Sequence, residues 1–416
     1  MDIRGIMLGI LLLCNGCAGT GIDKGFYLGN GTPPDGYTAV PAVVRYTDIQ
    51  GYGWLGGQAN RFAVHLPEGN YEVVVTFASP EAAMAATVKA EARRLMLKRG
   101  GAADGVVRRF AVNVRRPEIE GGGSVRLTSR EQRPLIAHWD ELLTIEFLPD
   151  AHDVVSIRIL PAPDAVTVYV AGDSTVTDQR SEPWCGWGQL LPSFFGPGVA
   201  VANHAESGRA LFSFRSENRL AKILSTIQPG DYLFIQFGHN DQKDTSDGAG
   251  PFTSYKRDLE DYIAKVRGKK ALPVLVTPME RRRWSGGTPQ ETLTDYAAAV
   301  RLVGEEQHVP VIDLHAMSLE FYAALGPEGS TKAFVHYPAN TFAGQPEALK
   351  DDTHHNTYGA YELARCVVEG IRNQVPELAA FLRADVGSFD PSRPDDPAAL
   401  GIPPSLEVEA AKPEGN

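Results

Sequence analysis

The chain has 416 residues, of which 43% are hydrophobic and 22% are charged, so it can form two or three domains with ordinary cores. Its formal net charge of −11 argues against nucleic-acid binding, because phosphates are neutralised by basic surfaces. The same charge disfavours adsorption to an anionic membrane surface.

The first 20 residues have the pattern of an export signal. Arg4 precedes an apolar run from Ile6 to Leu13, which is too short to span a bilayer, and small residues follow around Cys17. The sequence Leu-Cys-Asn-Gly before Cys17 is an imperfect bacterial lipoprotein site. We therefore expect residues 1–20 to be a signal peptide and the protein to be periplasmic, attached to the cell surface or extracellular. A lipid on Cys17, the only membrane contact we expect, and plain cleavage after a small residue are both open alternatives.

Two cysteines follow the signal, Cys185 and Cys366. They could pair in an oxidising compartment, but two cysteines do not make a disulfide framework. Two buried free thiols are an equal alternative.

Residues 22–164 have the pattern of an all-β domain. Short runs of β-forming residues are separated by turn residues such as Pro67-Glu68-Gly69-Asn70, which is typical of a β-sandwich or jelly roll. The predicted strands cover residues 61–66, 71–77, 94–97, 109–114, 124–127, 143–147 and 154–160.

The first part of this domain is rich in glycine and aromatic residues, including Tyr37, Tyr46, Tyr52 and Trp54. If they were exposed, these rings would suit stacking on sugars. The alternative, that they fill the core of the sandwich, is favoured because aromatic residues are mostly buried.

Pro161-Ala162-Pro163 predicts a hinge, after which strands alternate with longer helical stretches. Uninterrupted apolar runs such as Tyr232-Leu233-Phe234-Ile235 are expected of parallel strands covered on both faces. Residues 165–385 are therefore predicted to form a three-layer α/β/α domain with a parallel sheet. Residues 386–416 are rich in Pro, Asp, Ala and Glu, and we expect a flexible tail. The predicted strands are 166–171, 199–204, 231–237, 272–277 and 309–313, and the predicted helices are 216–227, 253–268, 294–307 and 357–372.

Ligands of open parallel sheets lie beyond the carboxyl ends of the strands, and polar residues follow several of these strands. Gly172-Asp173-Ser174 follows the first, Ser207-Gly208-Arg209 the second and Gly238-His239-Asn240-Asp241 the third. The loop before the last helix contributes Asp351-Asp352-Thr353-His354-His355.

These residue types suit ester cleavage through a serine nucleophile. Ser174 would attack the carbonyl, His354 would act as its base, and Asp351 would fix the tautomer of His354. The backbone N–H groups of Ser174 and Gly208 and the side-chain amide of Asn240 are candidates for an oxyanion hole, in which each donor contributes about 10²–10³ in rate.

The four blocks resemble those of the SGNH (GDSL-type) hydrolases: Gly-Asp-Ser, a glycine, Gly-His-Asn-Asp and Asp-x-x-His. The details over residues 166–380, including Asp351, Thr353, His354, Asn356 and Gly359-Ala360, are similar to those of the rhamnogalacturonan acetylesterases of carbohydrate esterase family 12. The resemblance implies a flavodoxin-like hydrolase domain, the same catalytic and oxyanion residues, no cofactor and an acetylated polysaccharide as substrate. The N-terminal region resembles the galactose-binding-like module that precedes such domains.

The sequence departs from the family pattern in two places. Ala210 stands where serine is common, and His355 stands where an aromatic residue or threonine is common. Two overlapping pairs, Asp351/His354 and Asp352/His355, are therefore open, and the Thr-His and Gly-Ala spacing favours the first. These residues also have the chemistry of metal ligands, but no separate third ligand motif accompanies them, so we expect no metal site.

Four further residues are candidates for substrate binding: Arg209, His239, Arg282 and Trp284. The arginines around Arg282 follow a strand end and could bind galacturonate carboxylates, although a solvated loop is an equal alternative. His239 is interpreted more simply as a residue that bonds backbone in the Asn240 loop, and Asp241 as a residue that orients this loop.

The favoured hypothesis is an exported serine esterase that removes O-acetyl groups from rhamnogalacturonan through an acyl-serine intermediate. A second hypothesis is an esterase of the same class that acts on acetylxylan, sialate or a short-chain lipid ester. A third is a glycan-binding surface protein with an inactive hydrolase domain, which the complete set of site residues argues against. A metal-dependent hydrolase is a fourth.

Overall fold

The computed structural model describes residues 22–56, 59–132, 139–342 and 344–405. The predicted signal peptide, with Cys17, lies outside the described residues. Within the described ranges, we find no helix whose length and apolar character would allow it to cross a membrane.

Residues 24–161 form two five-stranded sheets. One has the strand order β2-β1-β10-β5-β8 and the other β3-β4-β9-β6-β7, and all neighbours are antiparallel except β1 and β2. The elements are β1 (Lys24–Tyr27), β2 (Tyr37–Ala39), β3 (Tyr52–Leu55), β4 (Arg61–His65), β5 (Gly69–Phe77), α1 (Pro80–Ala85), β6 (Thr87–Ala90), β7 (Arg94–Leu97), β8 (Val107–Val114), β9 (Leu142–Leu148) and β10 (Val154–Pro161).

The two sheets share one hydrophobic core. In β5, alternate residues from Tyr71 to Phe77 are buried, as expected of a strand with one face inward. Trp54 is 3% exposed and packs edge-to-face on Phe62, with 5.4 Å between the ring centroids. Of the two alternatives for the N-terminal aromatic residues, Trp54 therefore follows the second, because its ring fills the core of the sandwich.

The N-terminal elements differ from the prediction in two ways. No strand forms over residues 124–127, where Ser124 makes an isolated bridge to Glu118 and the Arg126 N–H donates to the Glu217 carbonyl. Strands β1, β2, β3 and β6 were not predicted. Strands of three or four residues show little alternation, although β7, which has four residues, was predicted.

The second part of the chain is built on a five-stranded parallel sheet of order β12-β11-β13-β14-β17. The predicted α/β architecture with a parallel sheet is confirmed. The strands are β11 (Val166–Gly172), β12 (Val199–Asn203), β13 (Tyr232–Gln236), β14 (Leu272–Val276), the hairpin β15 (Trp284–Ser285) and β16 (Thr288–Pro289), β17 (Val311–Ile312), and the hairpin β18 (Phe334–Tyr337) and β19 (Leu349–His355). The helices are α2 (Trp187–Leu190), α3 (Leu211–Ser216), α4 (Arg219–Thr226), α5 (Lys256–Gly268), α6 (Thr294–Gln307), α7 (Leu314–Gly329), α8 (Thr357–Gln374) and α9 (Pro376–Ala379). Short 3-10 turns span Leu191–Phe194, Asp241–Lys243, Ser330–Lys332 and Pro397–Ala399, and a π-turn spans Pro251–Tyr255.

Helices cover both faces of the parallel sheet. Tyr232 and Phe234 of β13 pack in a cluster with α2, α7 and α8, whereas Leu233 and Ile235 pack in a second cluster with α3 to α6. Burial of successive residues on opposite faces explains why this strand is apolar without interruption.

Several segments of this part differ from the prediction. The helix expected over residues 216–227 is α4, which begins after Asn218, a residue with a φ of 64°. Helix α3 was not predicted. Helix α7 was not predicted. The segment from Leu349 to His355, expected as a loop, is strand β19.

The two parts of the chain are joined by buried polar contacts. Arg219 Nη2 lies 2.6 Å from Glu131 Oε2, and Arg93 Nη2 lies 2.5 Å from Glu182 Oε1. Glu131 and Arg93 belong to the N-terminal part, so both ion pairs cross between the parts. Buried pairs of this kind are costly to break, because loss of one partner leaves an uncompensated charge.

The prediction of a flexible C-terminal tail is wrong for residues 386–405; residues 406–416 lie outside the described part of the chain. The Tyr358 hydroxyl donates to the Asp395 carbonyl at 2.8 Å. Ser405 is 2% exposed and accepts a hydrogen bond from Lys89 Nζ at 3.1 Å. Composition alone missed this segment because a few apolar residues, among them Phe389 and Ile402, are enough to pack it against the core.

Candidate active site

A tight turn at the end of β11 holds Ser174, which is 4% exposed. The Asp173 carboxylate braces the turn by accepting hydrogen bonds from the backbone N–H and the hydroxyl of Thr175, at 2.9 and 2.7 Å. Glycine is required before it, because a Cβ on Gly172 would lie 2.6 Å from Val176 Cγ2. These contacts make Asp173 a carboxylate that braces the turn.

Ser174, His354 and Asp351 form a continuous hydrogen-bonded chain. His354 Nε2 lies 2.8 Å from Ser174 Oγ, and His354 Nδ1 lies 2.8 Å from Asp351 Oδ2. Ser174 and His354 are 180 positions apart in the sequence and meet at the carboxyl edge of the sheet. The geometry suits proton transfer from the serine to the imidazole.

The Asp351 carboxylate is held in its ionised form. Burial alone would raise its pKa, but the hydrogen bond and charge of His354, with backbone N–H donors at Thr353 and His354, hold the pKa well below its usual range. The Trp184 indole N–H lies 3.3 Å from Asp351 Oδ2. Trp184 could not be predicted from the sequence, because no spacing pattern connects it to this carboxylate.

A bulge in β19 determines which histidine faces the serine. Phe334 of β18 is opposite His355, whereas the next residue, Val335, is opposite Asp351. The residues between Asp351 and His355 are therefore displaced from the ladder. Bulges re-aim side chains, and this one places the His354 ring against Ser174.

The alternative pair, Asp352 and His355, does not contact Ser174. His355 Nε2 lies 2.8 Å from the Tyr322 hydroxyl, and burial lowers the pKa of His355 to about 3. Asp352 is at the surface, where it pairs with Arg282 at 2.9 Å. Within the described ranges, no three or more His, Cys, Asp or Glu side chains are arranged to hold a metal ion.

Gly208 and Asn240 come together beside the serine turn, as the ends of β12 and β13 require. Gly208 has a φ of +78°, a conformation that favours glycine. The Asn240 side-chain amide donates to the Arg209 carbonyl at 3.1 Å, which joins the two loops. In the described part of the chain, the N–H groups of Ser174 and Gly208 donate no hydrogen bond to protein, so both are free to bind a ligand oxygen.

Asp241 orients the Asn240 loop, as predicted. Its carboxylate accepts hydrogen bonds from the backbone N–H groups of Leu211 and Gly238, each at 2.9 Å. Burial raises the pKa of Asp241 to about 7. The carboxylate thus joins the loop that contains Asn240 to the start of α3.

The four residues predicted to bind substrate have different environments. Arg209 forms a two-point ion pair with Glu217, and Arg282 pairs with Asp352, so neither guanidinium is free. Trp284 is half-buried against the core cluster of the sheet. His239 is buried, with Nδ1 3.3 Å from Asp173 Oδ2, and its ring does not make the expected backbone hydrogen bond to any described residue.

Glu280, which no sequence motif indicated, braces the segment that follows β14. Its carboxylate accepts hydrogen bonds from the N–H groups of Thr292 and Leu293 and lies 3.0 Å from His315 Nε2. Although burial alone would raise its pKa, these hydrogen bonds lower the pKa of Glu280 to about 2. The neighbouring Arg281 donates a hydrogen bond to the His239 carbonyl, which connects this segment to the loop that contains Asn240.

Cys185 and Cys366 are both free and buried. Burial raises the pKa of the Cys185 thiol to about 12, so it stays protonated and unreactive at neutral pH. Of the two alternatives from the sequence, buried free thiols is the correct one.

Comparison with known proteins shows which family the chain resembles. Residues 170–360 match the model of the GDSL-like lipase/acylhydrolase family. The chain is 42% identical over 209 residues to the rhamnogalacturonan acetylesterase RhgT of Bacillus subtilis, a match that covers 50% of this chain and 89% of RhgT. It is 29% identical over 381 residues to the uncharacterized esterase YxiM of the same organism, covering 84% of this chain and 90% of YxiM. The crystal structure of YxiM aligns with a TM-score of 0.46 at 26% identity, covering 84% of this chain and 98% of that structure.

The parallel sheet, the serine beside an imidazole, and these relatives together define a carboxylic ester hydrolase. The chain belongs to the GDSL-like lipase/acylhydrolase family. The match to YxiM extends well beyond the hydrolase part of the chain, since it covers 84% of the residues.

Proposed function

We propose that this protein removes O-acetyl groups from a pectic polysaccharide, rhamnogalacturonan, with Ser174 as nucleophile, His354 as base and Asp351 as its orienting carboxylate. The observation that carries the proposal is the position of His354, with Ser174 Oγ and Asp351 Oδ2 each 2.8 Å from its two ring nitrogens. The substrate class is suggested by the relatives named rhamnogalacturonan acetylesterase, of which one is 42% identical.

In the first half of the reaction, Ser174 Oγ attacks the acetyl carbonyl carbon and its proton passes to His354 Nε2. The tetrahedral intermediate collapses when His354 gives this proton to the sugar oxygen. The sugar leaves as a free hydroxyl, and the acetyl group stays on Ser174 as an ester.

In the second half, a water molecule gives a proton to His354 and attacks the acetyl-serine ester. Collapse of this intermediate returns the proton to Ser174 Oγ and releases acetate. Asp351 stays ionised in both halves and stabilises the imidazolium that forms twice per turnover, in line with its lowered pKa.

The developing oxyanion would be bound by three donors, the N–H groups of Ser174 and Gly208 and the Asn240 amide. One hydrogen of that amide is engaged with the Arg209 carbonyl, which leaves the other to point at the substrate. Each donor is expected to supply about 10²–10³ in rate.

The remaining organisation is part of the same proposal. Residues 22–164 would be a galactose-binding-like β-sandwich domain and residues 165–385 the hydrolase domain. The protein would be exported by residues 1–20, with or without a lipid on Cys17. An outer location fits a polysaccharide substrate, which does not enter cells.

The experiment that tests the activity uses the full chain and a Ser174→Ala variant. We expect the wild type to hydrolyse p-nitrophenyl acetate and to release acetate from acetylated rhamnogalacturonan faster than from acetylated xylan. Ser174→Ala should lose both activities while its circular dichroism spectrum is unchanged. Ser225→Ala, which removes a hydroxyl that donates to the Lys222 carbonyl, is the matched control and should keep them.

Two results would contradict the proposal. Undiminished turnover in Ser174→Ala would exclude the serine mechanism. Faster acetate release from xylan than from rhamnogalacturonan would keep the mechanism and exclude the substrate.

A further inference from the structure

A polar cavity of about 320 Å³ lies where the N-terminal sheets, α8 and the C-terminal segment meet. Its volume is within the range of small-ligand pockets, about 300–1,000 Å³. Its charged lining residues are five basic side chains and two carboxylates: Lys98, Arg99, Arg108, Arg365, Arg383, Asp385 and Asp395. In a protein whose net charge is −11, this excess of positive charge is a marked local reversal.

Most of these cations lack a partner of opposite charge. Arg365 pairs with Asp395 at 2.6 Å. Over the described ranges, Lys98, Arg99, Arg108 and Arg383 form no ion pair, and the hydrogen bonds of the last two go to backbone carbonyls. Five cations and two carboxylates line the cavity, so its lining keeps an excess of positive charge.

Arg108 is the most informative of the four. It is 4% exposed, and its Nε has no hydrogen-bond partner among the described residues. Burial, together with the charge of Arg383, lowers its pKa to about 10. A buried and unpaired guanidinium costs stability, so a fold that keeps one beside three other cations is suited to receive an anion there.

We propose that this cavity binds the carboxylate of a uronic acid residue in an oligosaccharide or polysaccharide. Guanidinium groups hydrogen-bond carboxylates well, and the aromatic ring of Tyr361 lines the same cavity. Two carboxylates, Asp385 and Asp395, lie among these cations, so the cavity suits a ligand that carries hydrogen-bond donors as well as an anionic group. The same carboxylates can accept hydrogen bonds from the hydroxyl groups of a sugar.

The site is separate from the catalytic one. None of the proposed catalytic and oxyanion residues lines this cavity. Helix α8 begins directly after β19 and contributes Tyr361 and Arg365, so the two sites share a rigid element. An accessory site of this kind would hold a charged polysaccharide at a second point and raise its affinity without new contacts at the serine. The identity of the polysaccharide rests on the proposed function, whereas the anion site does not.

The test measures binding of unacetylated trigalacturonate to the full chain by isothermal titration calorimetry, which requires no turnover. Lys98→Gln with Arg99→Gln removes two cations that make no ion pair in the described structure, and should weaken binding about tenfold or more. Lys269→Gln with Lys270→Gln removes the same charge from an exposed turn outside the cavity and should leave the affinity unchanged. Turnover of p-nitrophenyl acetate should be equal in all three proteins.

Neutral xylotriose and inorganic phosphate are the comparison ligands. Binding of trigalacturonate that is stronger than that of either, and that weakens in the cavity variant alone, supports the proposal. Equal affinity in the cavity variant, equal affinity for xylotriose, or binding of phosphate alone would each overturn it. Because the ligand carries no acetyl group, these outcomes are independent of whether the enzyme prefers rhamnogalacturonan.

Discussion

Replacement of Asp351 by asparagine tests the role of this carboxylate with little change in shape. Asp351 Oδ1 accepts the N–H groups of Thr353 and His354, each at 3.0 Å, and the oxygen of asparagine can keep both bonds. The amide nitrogen would then replace Oδ2, which in the wild type faces His354 Nδ1 at 2.8 Å and the Trp184 indole N–H at 3.3 Å. The variant would therefore place an N–H donor opposite His354 Nδ1, where the wild type has an acceptor.

The consequence is a change of tautomer in His354. With an N–H donor opposite Nδ1, the neutral ring carries its proton on Nε2, which then cannot accept the Ser174 proton. We expect kcat to fall by about 10³–10⁴, or roughly 4–5.5 kcal/mol in the barrier. The lost Trp184 contact adds a destabilisation of about 1–2 kcal/mol, too little to unfold the protein.

Asp352→Asn is the matched control, since it changes the neighbouring carboxylate in the same strand. Asp352 is at the surface and pairs with Arg282 and His336, so we expect kcat within about twofold of the wild type. The assay is steady-state hydrolysis of p-nitrophenyl acetate, with thermal unfolding followed by circular dichroism. A kcat of Asp351→Asn within tenfold of the wild type, or a larger loss of kcat in Asp352→Asn, would contradict the role assigned to Asp351.

Three further predictions concern other parts of the structure. Asn240→Ala should lower kcat by about 10²–10³ with little change in KM, and steady-state kinetics showing an effect mainly on KM would contradict an oxyanion role. The pKa of Glu280 is lowered to about 2, so the ionised carboxylate contributes its full stability above the unfolded pKa near 4.3 and loses it as the pH falls toward 2. In urea unfolding, the difference in stability between wild type and Glu280→Gln should therefore shrink from pH 6 to pH 3. A difference that stays constant over this range would contradict the lowered pKa. Truncation after Asp385 removes the contacts of Asp395 and Ser405, so we expect Tm to fall by several degrees in differential scanning calorimetry, and an unchanged Tm would show that the segment adds nothing.

The local sequence pattern determined the strands of the parallel sheet and the polar residues at their carboxyl ends. The strands of the parallel sheet could be predicted because burial on both faces leaves an uninterrupted apolar run, as in Tyr232–Gln236. The positions of Ser174, Gly208 and Asn240 at one edge followed from the same rule, because parallel strands all end on the same side of a sheet. These inferences needed only neighbours in sequence and the common direction of parallel strands.

Tertiary structure decided what depends on partners distant in sequence. His354 and His355 are adjacent, and the bulge opposite Phe334 and Val335 selects the first to face Ser174. The packing of the C-terminal segment and the charge-reversed cavity of Lys98 and Arg108 likewise join segments that are far apart in the chain. Strand register and the meeting of remote side chains come from the free energy of the whole packed chain, so no short stretch of residues contains them.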